Sequence, residues 1–474
     1  MMSARAESDG HTALFPDADA RLAIEDWLTR ELTGLDRRIA DGPVVPGVDR
    51  AALGRGLAEF DFEAPRALTD LLAWTIAGLE RGLVQITHPR YFGLFNPAPS
   101  FPAQCADRIA AAFNPQLATW TTSPMAVEIE AHVIRAVAQR AGLPPGSGGH
   151  FTTGGAEANF TALICALTAA CPDFAEHGAR GFTGAPVFYI SNEAHHAWIK
   201  IAHQAGIGRG AVRQVRTDGQ GRMDAAALAA AIAADRAQGW VPFMVVATAG
   251  TTGAGMIDPI APAAEIARAA GLWFHVDAAW GGALIVSDRH RAILADLALA
   301  DSLTIDAHKW LATTMGCGMF LTRRPAVLSE AFRVTTGYMP SNAADRDPYV
   351  TTVQWSRRFL GLRLFLALAA AGWGGYAAHV EQAIARIALL RAEMRRRGWT
   401  VANDSPLAVL CLEPPAEAAD PATIVRRVLA SGSAWISVAT FEGRPTIRAC
   451  ATHGRTTPDD VMHLVAALEA ARAG

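Results

Sequence analysis

Cysteine is scarce in this chain, and the few that occur form neither a disulfide pattern nor a metal-binding one. The 474 residues include six cysteines and no Cys-x-x-Cys pair, which argues against a structural zinc site. Several lie inside apolar runs, as buried thiols do in the reducing cytoplasm. We therefore expect a cytoplasmic protein without a metal site; its cysteines are Cys105, Cys165, Cys171, Cys317, Cys411 and Cys450.

The chain also lacks an excess of one charge and any long apolar run. The 42 basic and 45 acidic residues give a net charge of -3, so neither nucleic acid nor an anionic membrane is an indicated partner. No stretch approaches about 18 uncharged apolar residues, and the N-terminus has no apolar core of signal-peptide length. What the chain does have is 51% hydrophobic residues, enough for large buried cores. A globular protein that acts on small molecules is indicated.

Apolar strands alternate with amphipathic helices over residues 150–325. Such alternation predicts an α/β fold with a mostly parallel sheet and helices on both faces. Between some of the strands lie predicted helices near 157–170, 224–238 and 260–270. The predicted strands are Val187–Ser191, Ala211–Val215, Phe243–Thr248, Leu272–Val276, Leu303–Ile305 and Gly318–Thr322.

The segments on either side of this region have a different character. Residues 1–93 are predicted to form helices over Ala20–Leu35 and Leu68–Leu83, separated by proline-rich breaks. This N-terminal segment is too thin to hold its own core, so we expect it to pack across a partner subunit. The region 94–372 would be the large domain. The region 373–474 would be a small α+β domain that ends in strand, helix, strand, strand and helix.

Two of the predicted strands end in polar residues that suit a particular cofactor. Leu272–Val276 delivers Asp277, and Leu303–Ile305 delivers His308 and Lys309, at the strand ends where open α/β sheets bind ligands. Pyridoxal phosphate needs a lysine for a Schiff base and a carboxylate that keeps its pyridine nitrogen protonated. Taken singly, the aspartate could be a turn residue and the lysine a solvated side chain. Together they predict a site for this cofactor.

Three further stretches would add small or polar groups at the same edge. Thr152–Asn159 opens directly into an apolar helix, whose N-terminus favours an anion such as phosphate, although glycines before a helix are more often a plain turn. Gly250–Gly253 offers the hydroxyl of Thr252 after another strand. His195, after Val187–Ser191, could lie flat on a pyridine ring, although a loop histidine is often structural.

With these residues laid out, the chain resembles the group II pyridoxal-phosphate-dependent amino-acid decarboxylases of fold type I, the family of the aromatic-amino-acid and glutamate decarboxylases. The resemblance runs from about Thr87 to the end. It implies an aspartate-aminotransferase-like large domain with a mostly parallel seven-stranded sheet, pyridoxal 5'-phosphate as the cofactor, and a homodimer with the active site at the subunit boundary. Five motifs stand in the family's order: His88-Pro-Arg-Tyr-Phe, Thr153-Gly-Gly-Ala-Glu-Ala-Asn, Ala194-His195, His275-Val-Asp277-Ala-Ala279 and Asp306-Ala-His308-Lys309-Trp310.

The resemblance also implies roles for individual residues. Lys309 would form the Schiff base with the cofactor, Asp277 would pair with the pyridine nitrogen, and His195 would stack on the ring. The reaction would be the decarboxylation of an L-amino acid to the corresponding amine and CO₂. Near the phosphate and under the ring, the matching residues are Gly155, Ala156, Thr252, Ala279 and His308.

In this family a tyrosine on a mobile loop assists protonation, and two residues compete for that role here. The polar, turn-rich stretch 335–349 is the predicted loop. Tyr349 fits if one residue of slippage is allowed before Trp355, and Tyr338 is the competitor. Relatives with phenylalanine at this position tend to be aldehyde synthases. Aldehyde synthesis or transamination therefore stays open as an alternative, as does a cofactor-binding homologue without catalysis.

The sequence departs from the family pattern at the lysine motif and in the predicted substrate pocket. The family's usual Asn-Pro-His-Lys is Asp306-Ala-His-Lys here. Arg448 matches an arginine that can reach a substrate carboxylate, with a structural salt bridge as the alternative. Polar pocket residues favour a polar or acidic substrate side chain, whereas the family as a whole favours an aromatic one. The residues at the predicted pocket positions are Leu94, Asn96, Gln116 and Ala118.

Overall fold

The computed structural model describes residues 10–334 and 346–473. The helices are α1 (Gly10–Leu14), α2 (Ala18–Asp41), α3 (Arg50–Ala58), α4 (Leu68–Gly82), α5 (Phe101–Phe113), α6 (Pro124–Arg140), α7 (Gly155–Ala170), α8 (Phe174–His177), α9 (Ala197–Gln204), α10 (Ala225–Ala237), α11 (Ile260–Ala269), α12 (Ala326–Phe332), α13 (Gly361–Arg396), α14 (Pro421–Ala430) and α15 (Pro458–Ala473). The strands are β1 (Gly148–Thr152), β2 (Pro186–Ser191), β3 (Val212–Val215), β4 (Val241–Thr248), β5 (Trp273–Asp277), β6 (Ser302–Asp306), β7 (Gly318–Thr322), β8 (Thr400–Val401), β9 (Val409–Glu413), β10 (Ser437–Phe441) and β11 (Arg444–Cys450).

Seven strands form the central sheet, in the order β1-β7-β6-β5-β4-β2-β3. The pairs among β2 to β6 are parallel, and β7 is antiparallel to both of its neighbours, β1 and β6. The prediction of a mostly parallel seven-stranded sheet is confirmed, and six of its strands lie where the apolar runs put them. A second, antiparallel sheet of four strands, β10-β11-β9-β8, belongs to the C-terminal part.

Strand β1 is not among the predicted strands, because its sequence hides the usual signal. It begins with two glycines, in Gly-Gly-His-Phe-Thr. Gly149 has a φ of +147°, and a Cβ at this position would overlap the carbonyl oxygen of Phe320 on β7. The two backbones approach too closely for a side chain, so glycine replaces the apolar residues that mark a strand.

The helices at the two ends of the chain largely occupy their predicted positions. α2 begins at Ala18, where the Asp17 side chain accepts a hydrogen bond from the Ala20 N–H and caps the helix. It runs on to Asp41, beyond its predicted end, and α3 is an additional helix. α13 passes through the predicted domain boundary at 372–373 and is kinked there, at Gly372 with a φ of +65°.

One buried apolar cluster joins the central sheet to the C-terminal elements. Its members include Val276 on β5, Val380 on α13, Leu412 on β9 and Leu468 on α15, all fully buried. By contrast, α3 and α4 bury none of their residues, and α2 buries only Ile39. The predicted large and small domains therefore share a core, whereas the N-terminal helices contribute little to it within the described ranges.

None of the helices in these ranges is, on its own, long and apolar enough to cross a membrane. Length and composition reach that mark only when α7 is taken together with Phe174–Gly181, across a bend of 114°. Within the same ranges, no group of three or more His, Cys, Asp or Glu side chains is placed to hold a metal ion.

His150 on β1 gives the fold a specific dependence on pH. Its ring is buried, and neither nitrogen has a hydrogen-bond partner among the described residues. Burial, with a smaller effect from Arg357, lowers the pKa of His150 from 6.5 to about 3. The unfolded chain therefore binds a proton below pH 6.5 that the folded chain does not, so stability falls as the pH drops. Between pH 6.5 and pH 5 the free energy of unfolding should fall by about 2 kcal/mol less in His150→Leu than in the wild type. Urea denaturation at the two pH values measures this difference.

The matched control for this prediction is His463→Leu, the same change at an exposed histidine on α15. It should keep the wild-type dependence on pH. An equal pH dependence in His150→Leu and in the wild type would contradict the prediction.

Candidate active site

The ends of three central strands and the start of α7 meet around a cavity of about 130 Å³. Parallel strands bring their carboxyl ends to one edge of a sheet, which is where open α/β sheets bind ligands. Seven residues predicted to bind the cofactor line this cavity: Gly155, Ala156, His195, Thr252, Asp277, Ala279 and Lys309. Five further lining residues had no predicted role: Asn159, Thr248, Gly250, Trp280 and Asp306.

Lys309 forms an ion pair inside the cavity. Its Nζ lies 3.1 Å from Oδ2 of Asp306, whose side chain is 1% exposed. A Cβ at Gly155 or at Gly318 would lie 2.8 or 2.6 Å from an oxygen of that carboxylate, so both glycines make room for it. The aspartate that stands in place of the family's usual asparagine is thus a direct partner of the lysine.

Asp277 is held by two donors and can accept from a third. Its Oδ2 accepts a hydrogen bond of 2.7 Å from Nδ2 of Asn159, and its Oδ1 accepts one of 3.1 Å from the N–H of Ala279. The side chain is buried. An ionised carboxylate has about four lone-pair sites, so Asp277 can also accept a hydrogen bond from a protonated ring nitrogen in the cavity.

The turn before α7 has the character of an anion site. α7 begins at Gly155, after Gly154 with a φ of +153°, and the first N–H groups of a helix have no partner within it. The His308 ring packs against this turn, with Cε1 3.4 Å from the position of a Gly154 Cβ, but it does not line the cavity.

The cavity also offers unused polar groups. Thr248 Oγ1 and Trp280 Nε1 are buried in its lining and have no hydrogen-bond partner among the described residues. An amine, a carboxylate, a helix N-terminus and two free polar groups around one cavity fit pyridoxal phosphate, whose reactive aldehyde, ring nitrogen and phosphate need such partners.

His195 is a neutral ring at the mouth of this site. Its Nδ1 accepts a hydrogen bond of 3.1 Å from the N–H of Ala197, so the proton of the neutral ring is on Nε2. Partial burial lowers the pKa of His195 below 6.5, against the opposing charge of Asp277. At neutral pH the ring is therefore uncharged, which suits stacking on a flat aromatic ligand.

The sequence from residue 63 to residue 411 matches the family model described as the pyridoxal-dependent decarboxylase conserved domain. The chain belongs to this family. It is a pyridoxal-phosphate-dependent amino-acid decarboxylase, as the resemblance implied, and neither aldehyde synthesis nor a non-catalytic role is favoured.

Relatives of this decarboxylase carry the names of different substrates. The L-2,4-diaminobutyrate decarboxylase of Rhizobium meliloti (strain 1021) is 32% identical over 82% of this chain and 79% of its own. The aromatic-L-amino-acid decarboxylase of Bacillus atrophaeus is 26% identical over 90% of each chain. The acidic amino acid decarboxylase GADL1 of Mus musculus is 32% identical over 66% of this chain and 58% of its own. Among solved structures, mouse CSAD in its apo form is 25% identical with a TM-score of 0.88, covering 96% of this chain and 100% of that one, which confirms the predicted fold type I.

Arg448 lies beside the cavity of the decarboxylase. Its Nε donates to the carbonyl oxygen of Thr252 at 3.0 Å, and its Nη1 donates to that of Gly93 at 2.8 Å. The guanidinium carbon is 4.5 Å from the centre of the Phe95 ring. Nη2 is buried and has no hydrogen-bond acceptor among the described residues, so its N–H groups remain for a carboxylate.

The other predicted substrate residues lie outside the cavity lining. Leu94 is 51% exposed and Asn96 is partly buried. Gln116 donates from Nε2 to Ser356 Oγ at 2.9 Å, and Ala118 is buried. These residues are not brought together with Lys309 within the described part of one chain.

Tyr349 is also apart from the cavity lining. Its N–H donates to the carbonyl oxygen of Ala118 at 3.1 Å, and its ring centre lies 4.9 Å from that of Trp355. The side chain is buried. The competing residue, Tyr338, lies outside the described residues, so the two tyrosines are not compared by position.

The crowding at Gly155 generates a test of the site. In Gly155→Ala the new Cβ would meet Oδ2 of Asp306 at 2.8 Å, and that carboxylate is fixed by burial and by Lys309. We expect the free energy of unfolding of the cofactor-free protein to fall by about 1–3 kcal/mol and the cofactor to bind more weakly. Thermal denaturation and a cofactor titration followed by absorbance measure the two effects.

Gly210→Ala is the matched control, because a Cβ at Gly210 would meet nothing within 4 Å. It should leave stability within about 0.5 kcal/mol of the wild type and cofactor binding unchanged. If Gly155→Ala behaved like this control, the assigned crowding would be wrong.

Proposed function

We propose that this enzyme decarboxylates an L-amino acid with a polar or acidic side chain, with Lys309 as the covalent attachment point of the cofactor and Asp277 as the partner of its ring nitrogen. The observation that carries this proposal is that Lys309 and Asp277, at the ends of neighbouring strands, line one cavity together with the start of α7. A lysine, a carboxylate and a helix N-terminus are the three groups that the cofactor requires.

Bound pyridoxal phosphate supplies an electron sink for the carbanion left by the departing CO₂. Residues of the chain would hold the cofactor in place. Asp277 would accept the N–H of the cofactor's ring nitrogen, and the uncharged ring of His195 would stack on the cofactor ring. Asp306, whose Oδ2 lies 3.1 Å from Nζ of Lys309, would hold the lysine amine whenever it is not joined to the cofactor. For the phosphate and the underside of the ring, we propose Gly155, Ala156, Thr252, Ala279 and His308.

Protonation of the substrate carbon needs a donor, and we propose Tyr349 for it. Its backbone is fixed by Ala118, and its ring is held against Trp355, so the side chain is already ordered. Tyr349 does not line the cavity of a single chain, so its hydroxyl would reach a substrate in a site that a second copy of the chain completes.

The preference for a polar or acidic side chain rests on polar groups at the predicted pocket positions. Asn96 and Gln116 carry polar amide side chains, and Arg448 has a free Nη2 donor for a carboxylate. The diaminobutyrate and acidic amino acid decarboxylases among the relatives are also named for polar substrates, while the Bacillus relative is named for aromatic ones. With Leu94, these three residues form the proposed substrate site.

The experiment that tests this proposal combines absorbance with product analysis. We expect the purified enzyme loaded with cofactor to change its absorbance on adding acidic or polar L-amino acids and to release CO₂ and amine in equal amounts, without ammonia or peroxide. Lys309→Ala should lose the cofactor that borohydride traps on the wild type and lower kcat by at least about a thousandfold. A preference for aromatic or aliphatic substrates would refute the side-chain assignment, and retained trapping in Lys309→Ala would refute the role of the lysine.

We further propose that the enzyme is a cytoplasmic homodimer, in which the segment 1–93 packs on a second copy while 94–372 and 373–474 form the large and small domains. In support, α3 and α4 bury no residue in the single chain. A groove of about 1430 Å³ runs between α2, α5 and α13, and Phe101 and Phe113 on α5 are 74% and 82% exposed. Exposed aromatic groups of this kind mark a surface that a partner covers.

The dimer has its own measurement. Light scattering should give a mass about twice the 50.1 kDa of one chain, and Phe101→Asp at the rim of the groove should shift it toward the monomer. Met462→Asp on α15, which is 37% exposed, is the control and should stay dimeric. A wild-type mass near that of a single chain would contradict the proposal.

A further inference from the structure

A network of hydrogen-bonded, buried side chains leads from the interior of the sheet to Asp277. Asn159 on α7 donates from Nδ2 to Asp277 Oδ2 at 2.7 Å. Its Oδ1 accepts from Thr304 Oγ1 at 2.6 Å and lies 3.3 Å from His275 Nε2. His275 Nδ1 lies 2.8 Å from Ser302 Oγ. All of these side chains are 5% exposed or less, so water does not compete for their hydrogen bonds.

The direction of each bond follows from what each group can donate. A carboxylate only accepts, so the amide of Asn159 must turn its NH₂ toward Asp277 and its carbonyl oxygen toward Thr304 and His275. That oxygen cannot donate, so His275 must carry its proton on Nε2. Burial lowers the pKa of His275 to about 4, so at neutral pH its ring holds one proton only, and Nδ1 accepts from Ser302.

The hydrogen bonds at Ser302, at the end of the network away from Asp277, have the same donor-to-acceptor direction. The indole N–H of Trp273, which can only donate, reaches Ser302 Oγ at 2.8 Å. The hydroxyl proton of Ser302 is thereby left for His275. Every member from Trp273 to Asn159 therefore donates toward Asp277, and the group that faces the carboxylate is a donor, the NH₂ of Asn159.

We propose that Asn159 and His275 are positioning residues that present only donors to Asp277, so that the carboxylate must accept the N–H of the cofactor's ring nitrogen and keep that nitrogen protonated. This inference rests on the proposed role of Asp277. Its consequence is chemical, because a protonated ring nitrogen is what makes the cofactor an effective electron sink. The network acts through Asp277, and neither residue needs to touch the substrate.

Two substitutions test the network at different points. Asn159→Leu removes the donor to Asp277 at similar volume, and Thr304→Val removes only the hydroxyl that donates to the amide oxygen of Asn159. The matched control is Thr161→Val on the same helix, where a fully buried hydroxyl has no partner among the described residues. Thr304→Val is nearly isosteric, so it carries the test if Asn159→Leu fails to fold.

The readout is the ring nitrogen itself. Each holoenzyme is prepared with cofactor labelled with ¹⁵N at the pyridine nitrogen, whose chemical shift distinguishes the protonated from the neutral form. We expect the wild type and Thr161→Val to show the protonated signal, and Asn159→Leu and, to a smaller extent, Thr304→Val to move toward the neutral one. The dissociation constant of the cofactor should rise about ten- to hundredfold in Asn159→Leu and about three- to tenfold in Thr304→Val.

An unchanged nitrogen signal in both Asn159→Leu and Thr304→Val would overturn the inference. Asp277→Asn separates this failure from failure of the proposed function. If Asp277→Asn moves the signal while the two network variants do not, only the network is wrong. If Asp277→Asn also leaves the signal unchanged, the assignment of Asp277 to the ring nitrogen is wrong, and the network inference falls with it.

Discussion

The site depends on the alignment of three neighbouring parallel strands. Thr248 on β4 pairs with Asp277 on β5, and Asp277 pairs with Thr304 on β6. Residues in one row of a sheet point to the same face, and α7 lies across that face with Asn159 in contact with both Asp277 and Thr304. A slip of one residue in β5 would turn the carboxylate to the opposite face. The register is therefore as necessary to the chemistry as the identity of the residues.

Two buried histidines differ in whether their ring nitrogens have hydrogen-bond partners. His150 and His275 are both buried, and burial holds the pKa of one at about 3 and of the other at about 4. His275 lies between Ser302 and Asn159, within hydrogen-bonding distance of both, whereas the nitrogens of His150 have no partner among the described residues. An unpaired buried polar group only costs stability. A paired one can orient its neighbours: His275 lies beside the amide oxygen of Asn159, and the NH₂ of the same amide donates to Asp277.

The sequence predicts the parts of the site that depend on strand ends and misses those that depend on packing. Asp277 and Lys309 follow apolar runs, so their convergence at one sheet edge is expected from sequence alone. Asn159 lies within a predicted motif, but its contact spans 118 positions along the chain, and no local pattern reports such a contact. Trp280 likewise acquires its place through stacking on Phe95, with ring centres 4.1 Å apart.

The same distinction explains the errors in the fold. β1 escapes prediction because close backbone contact requires glycine where a strand usually has apolar side chains. The division into a large and a small domain is readable as a change of pattern along the chain, but the shared apolar core across α13 and β9 is a property of three-dimensional packing. Patterns with a period of two or 3.6 residues report which face is buried, and they do not report which element covers it.

Asp306 illustrates how a departure from a family motif can be understood once the structure is known. An asparagine at this position carries no charge, so a lysine beside it would have to find its counter-charge elsewhere. Here Asp306 supplies that charge at 3.1 Å, and Gly155 and Gly318 leave the space that its carboxylate fills. The Asp306 side chain is 1% exposed and an unpaired buried charge is strongly destabilising, so Lys309 stabilises the buried carboxylate. Asp277 has other partners, the amide of Asn159 and the N–H of Ala279, so the two carboxylates at this edge of the sheet are stabilised separately.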